Sequence, residues 1–61
     1  SQGMLELDAW LAPLLQAVSG RDDEVLQAVN HLLCLETPEL LAMQAGSRPV
    51  PRVLEPWLKP R

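Results

Sequence analysis

His31 and Cys34 are the side chains in this sequence most suited to chemistry, and they stand three residues apart. On a helix that spacing puts both on one face. An imidazole beside a thiol offers either a pair of metal ligands or a nucleophile with its base. Neither set is complete. Zinc takes four ligands, or three and a water, and the chain holds no second His or Cys. Only a two-fold dimer would bring two imidazoles and two thiols together. Nucleophilic catalysis needs in addition an orienting group, an oxyanion hole and a pocket, which a short helical hairpin does not supply. The expectation is therefore no enzyme, no cofactor and no metal.

The element that carries both residues is Asp22–Leu35, DDEVLQAVNHLLCL. Val25, Leu26, Val29, Leu32, Leu33 and Leu35, with Ala28, fall on about half of a helical wheel. Asp23, Gln27, Asn30, His31 and Cys34 take the other half. Asp22 is the natural N-cap, and Asp23 and Glu24 sit where the helix dipole favours carboxylates. A free Cys is usually buried, so Cys34 on the polar half predicts cover by the C-terminal segment or by a second chain.

The 61 residues suffice for one domain. A chain of this size buries about 60% of its unfolded surface and needs a staple or a partner. One cysteine rules out an internal disulfide and favours a reducing, intracellular setting. Thirteen leucines with no Phe or Tyr favour helices over strands. Residues 1–47 carry Arg21 against seven acids, for a net −6, whereas residues 48–61 carry +3. An acidic body argues against nucleic acid, which needs a basic face. No apolar run approaches the roughly 20 residues that span a bilayer, and no signal peptide is expected, since no basic stretch precedes a long apolar one. Ser1-Gln2-Gly3 before Met4 reads as a cloning remnant.

Leu5–Ser19 is the first helical segment, with Leu7, Leu11, Leu14, Leu15 and Val18 as its apolar stripe and Trp10 at the edge. Pro13 costs ~3 kcal/mol inside a helix but lies opposite the stripe. The favoured reading is one helix from an Asp8 cap, kinked near Pro13; the alternative is a break there. Gly20 is expected in the left-handed conformation, closing a hairpin with the second helix. Thr37-Pro38 reads as the N-cap and first residue of a third helix, Glu39–Ala45, stopped by Gly46. Ser47–Arg61 holds four prolines, yet Val50, Val53, Leu54, Trp57 and Leu58 keep a helical period. It is expected to lie across the hairpin or across a partner, with Trp57 as anchor.

Three short motifs carry resemblances. Leu11-Ala12-Pro13-Leu14-Leu15 resembles the LxxLL helix that docks on nuclear receptors through i, i+3 and i+4 anchors. Val25, Val29, Leu33 and Leu35 fit the loose spacing of a nuclear export signal. Pro56-Trp57-Leu58-Lys59-Pro60-Arg61 reads PxxxPR and resembles the atypical ligand of some endocytic-adaptor SH3 domains, which take an extended proline segment and an Arg.

The expected fold is all-α: a helical hairpin and a short third helix over residues 4–46, with a proline-rich basic tail, residues 47–61, packed on it. Its leading function is a non-catalytic docking or dimerisation module. The expected partner is a protein, either a second copy or a different chain, with no nucleic acid and no membrane. The expected contact residues are Trp10, Leu14, Leu26, Val29, Leu33, Leu40, Leu41, Trp57 and Leu58. The physical reason is a surplus of apolar helix face over what a monomer of this size can cover.

Overall fold

The computed structural model describes residues 2–61, with side chains from Met4 onward; the supposed cloning remnant lies outside the residues whose side chains are described. Four α-helices follow one another: α1 Gln2–Leu11, α2 Leu14–Ser19, α3 Asp23–Leu33 and α4 Thr37–Ala45. A 3-10 turn, Arg52–Leu54, comes last, and no strand occurs among the described residues.

α1 and α2 form one bent segment. Pro13 holds right-handed helical angles, φ −61° and ψ −15°, so the chain keeps its direction of winding. It has no N–H to donate. The ladder lapses at Ala12-Pro13 and restarts when the Leu15 and Gln16 amides donate to the Ala12 and Pro13 carbonyls. Asp8 lies inside α1, so it is not the expected cap. Pro13 faces solvent, as its position opposite the stripe requires.

The turn between α2 and α3 corrects a second expectation. Gly20 stays right-handed at φ −75°, and Arg21 takes the left-handed conformation at φ 58°. α2 closes as the Gly20 amide donates to the Ala17 carbonyl and the Arg21 amide to the Val18 carbonyl, and the reversal falls at Arg21, one residue after the glycine. A side chain there costs about 1–2 kcal/mol. Asp22 then caps α3 as expected, its carboxylate accepting from the Val25 N–H at 3.2 Å. Asp23 and Glu24 follow at the positive end of the dipole.

α3 ends at Leu33 with Cys34 as its C-cap, two residues before the expected Leu35. The cause is the next helix. Glu36, not Thr37, is its N-cap. The Glu36 carboxylate accepts from the Glu39 amide, and the Glu39 carboxylate accepts from the Glu36 N–H at 3.0 Å. This reciprocal box satisfies two otherwise orphaned donors and holds Glu36 extended at ψ 155°. Pro38 falls in the first turn, where a missing N–H is harmless. Gly46, at φ 89°, closes α4 in the left-handed region.

Residues 47–61 are a wall of the core and not an appended tail. The Trp57 and Leu58 amides donate to the Leu54 carbonyl, coiling the segment so that Leu54 and Leu58 point inward. Both are essentially inaccessible, at 0% and 1% exposure. Trp57, expected as the anchor, is half-buried. Two hydrogen bonds fix the end of the chain: Trp10 Nε1–H donates to the Lys59 carbonyl at 2.7 Å, and the Arg61 amide donates to the Gln44 carbonyl at 2.8 Å.

The core joins Leu7, Leu14, Ala17, Val25, Val29, Leu32, Leu40, Met43, Leu54 and Leu58. α1 packs on α4, and α3 packs on both α2 and the 3-10 turn. The radius of gyration, 11.0 Å, is close to the roughly 10.5 Å of a compact chain of this length. The sole buried polar residue among those described, Gln44, uses its Nε2 to donate to the Glu6 carbonyl.

Candidate interaction surface

His31 and Cys34 are both exposed, and the cysteine is free. Neither the C-terminal segment nor any other described element covers Cys34, contrary to the expectation of cover. No group of three or more His, Cys, Asp or Glu side chains is placed to hold a metal among the described residues. His31 lines a cleft of about 420 Å³ between α3, α4 and residues 48–51. Its other polar wall is Arg48, whose guanidinium lies 3.4 Å from the Glu39 carboxylate. That cleft contains no nucleophile and no orienting acid for the imidazole.

The apolar faces behave differently. Three adjacent leucine pairs occur in the helices, and successive residues on a helix point about 100° apart. Both members of a pair cannot point straight at the same core. In each pair the first is buried and the second is not: Leu14 6% against Leu15 77%, Leu32 1% against Leu33 58%, Leu40 7% against Leu41 38%. On α2 and α3 the displaced leucines fall on the same side of the hairpin. There they border a groove of about 260 Å³ walled by Leu11, Leu14, Leu15, Val18, Val29 and Leu33. Every one of these side chains is apolar. Leu26, seven residues before Leu33 and so on the same face of α3, extends the patch and is exposed.

The charges nearest these groove residues in the sequence are mostly acidic. Asp8 stands three residues before Leu11 on α1, and Glu36 three residues after Leu33. At the other end Asp22, Asp23 and Glu24 begin α3. All five are exposed. Arg21 is the one basic residue in this part of the sequence. Two bases of the C-terminal segment are engaged in ion pairs, Arg61 with Glu6 at 3.2 Å and Arg48 with Glu39 at 3.4 Å.

The nine expected contact residues divide accordingly. Leu14, Val29, Leu40 and Leu58 are core. Trp10 and Trp57 are half-buried against the core. Leu26, Leu33 and Leu41 remain open to a partner. Leu11, Leu15 and Val18, absent from that set, supply one wall of the groove. The doubled leucines were the signal that could have found Leu15. No protein-family model, curated protein or solved structure matches this chain.

Proposed function

We propose that this domain is a non-catalytic protein-interaction module and that the α2–α3 groove is its contact surface. The observation that carries the reading is the exposure of Leu15 and Leu33 side by side along a wholly apolar groove. Single exposed leucines are ordinary on a protein surface. A contiguous apolar groove rimmed by charge marks a site where other protein surface is buried.

Two other readings fit less well. The LxxLL helix needs Leu11, Leu14 and Leu15 together on a partner, but Leu14 is core and Pro13 breaks the helix between them. The SH3-ligand reading needs an extended Pro56–Arg61 with a free Arg. Here Leu58 is buried and Arg61 is held by both its amide and its guanidinium.

A photo-cross-linking residue placed at Leu15, with a control at the exposed Arg52, tests the proposal in the native cell. A protein adduct formed from position 15 and not from position 52 is expected. Adducts from neither position, or equally from both, would overturn it.

A further inference from the structure

We infer that the cleft between α3, α4 and residues 48–51 binds a ligand that joins an apolar chain to a carboxylate. This site is separate from the α2–α3 groove: Leu32 lines the cleft, and its neighbour Leu33 lines the groove. At about 420 Å³ the cleft falls in the size range of sites for small organic ligands. Seven of its nine lining residues are apolar, Leu32, Leu35, Met43 and Val50 among them. The other two are His31 and Arg48, and no acidic residue lines it. Apolar walls with a few polar groups that fix orientation are the usual make-up of a ligand site.

The two polar residues select the charge of the ligand. Both present N–H donors, and the guanidinium holds five of them in a fork that matches a carboxylate. The His31 ring makes no hydrogen bond among the described residues. Arg48 has one ion pair, from Nη1 to the Glu39 carboxylate at 3.4 Å, and both side chains of that pair are well exposed. Such a pair is weak and leaves the rest of the fork free. A cation in the cleft would be repelled by Arg48, and an uncharged chain would leave both donors unused. One guanidinium shared with Glu39 and one imidazole suit a monoanion better than a phosphate, which brings close to two charges. The wall is also set in advance. The Arg48 amide donates to the Ala42 carbonyl at 3.3 Å, and Pro49 and Pro51 restrict the backbone on either side of Val50. Little of the site has to be ordered on binding.

The test titrates the full isotope-labelled chain with octanoate and with octanamide, which has the same chain and no charge. Octanoate is expected to shift the amides of Ala28, Leu35 and Val50 and the Met43 methyl saturably, and to leave Leu15 and Leu33 unmoved. It should bind about tenfold more tightly than octanamide, with the gap closing as salt is added. Arg48→Gln should bring octanoate down to the level of octanamide without moving octanamide itself, which separates a lost contact from a damaged fold. Glu39→Gln frees Arg48 and keeps an acceptor for the Glu36 N–H, so it should tighten octanoate.

A short peptide ending in leucine, with its terminal carboxylate free or amidated, distinguishes the two sources of this chemistry. Tighter binding of octanoate than of the free-ended peptide assigns the cleft to a small organic acid, and the reverse assigns it to the C-terminus of another protein. Either result upholds the inference. Equal binding of octanoate and octanamide would overturn it, as would weaker octanoate binding in Glu39→Gln. Shifts confined to the α2–α3 groove, or no saturable shift at all, would overturn it too. The cross-link from position 15 tests the α2–α3 groove separately.

Discussion

Leu32 and Leu33 are neighbours of the same type on the same helix, and they meet opposite environments. Leu32 joins Leu54 and Leu58 in the core, under the C-terminal segment, whereas Leu33 borders the open groove beside α2. The two flanks of α3 therefore pose one problem with two outcomes. On one side the chain supplies its own cover, by coiling residues 52–58 over α3 and tying the end to Trp10 and Gln44. On the other side nothing in the described chain does so. The comparison teaches that apolar composition measures how much cover a helix needs, not where that cover comes from. Where the cover is missing, the helix face is left open, which is the face proposed above for another molecule.

The largest test of this contrast is to shorten matched leucines on the two flanks. Leu32→Ala or Leu58→Ala removes a fully buried side chain and should cost about 2–5 kcal/mol. A domain of this length has roughly 3–9 kcal/mol in all. Either variant should therefore shift the urea midpoint severely or unfold the chain. Leu33→Ala and Leu15→Ala should stay within about 0.5 kcal/mol of the parent. If Leu33→Ala is as damaging as Leu32→Ala, the two flanks are equivalent and the groove belongs to the fold.

Trp10→Phe addresses how the covered flank is held. It keeps most of the ring packing and removes the donor to the Lys59 carbonyl. The expected loss is about 0.5–1.5 kcal/mol, read from the same denaturant curve. Tryptophan emission should then report Trp57 alone, and its blue-shifted position should persist if Leu54 and Leu58 still seat the segment. A red shift to the solvent value would mean that the hydrogen bond, and not the leucines, fixes the cover.

Arg21→Gly sharpens the open flank. Arg21 carries a left-handed φ of 58° in the turn that sets α2 beside α3. Glycine adopts that region without a side-chain clash, though it enlarges the entropy of the unfolded chain. The net expectation is a gain of about 0.5–1 kcal/mol. A loss would show that the arginine side chain supports the turn in a way its backbone geometry does not reveal.

Much of this arrangement was legible in the sequence, and the failures share a physical source. Asp22 and Gly46 were readable because each does a local job that its residue type alone performs. Glu36 was missed because a capping box depends on two residues acting together, and Thr37-Pro38 advertises a simpler start. Gly20 misled because the turn reverses one residue later than the glycine. The surplus of leucine was legible, but its location was not. Deciding which leucine of each pair is buried needs the position of the C-terminal segment, a contact between residues about fifty apart such as Trp10 and Lys59. The groove accordingly appeared in the sequence as an excess without an address. Leu14, Val29, Leu40 and Leu58 entered the contact set because they lie on the right faces of helices whose neighbours were unknown.

The smallest effect separates the two kinds of contact that close the covered flank. Arg61 and Glu6 form an ion pair at 3.2 Å with both side chains more than half exposed. Such pairs contribute about 0–1 kcal/mol and are screened by salt. Arg61→Ala should therefore move the denaturant midpoint by less than the Trp10→Phe change, and the difference from the parent should shrink as salt is added. The Arg61 amide bond to Gln44 survives that substitution, because it belongs to the backbone. Hydrogen exchange at Leu58 should consequently stay slow. If Leu58 exchange quickens to the rate of a frayed end, the ion pair is the latch of the segment. The contrast between the flanks would then be electrostatic in origin, and salt alone would begin to open the covered side. If exchange is unchanged, the cover is apolar, and the two flanks differ in whether leucines such as Leu54 and Leu58 reach them.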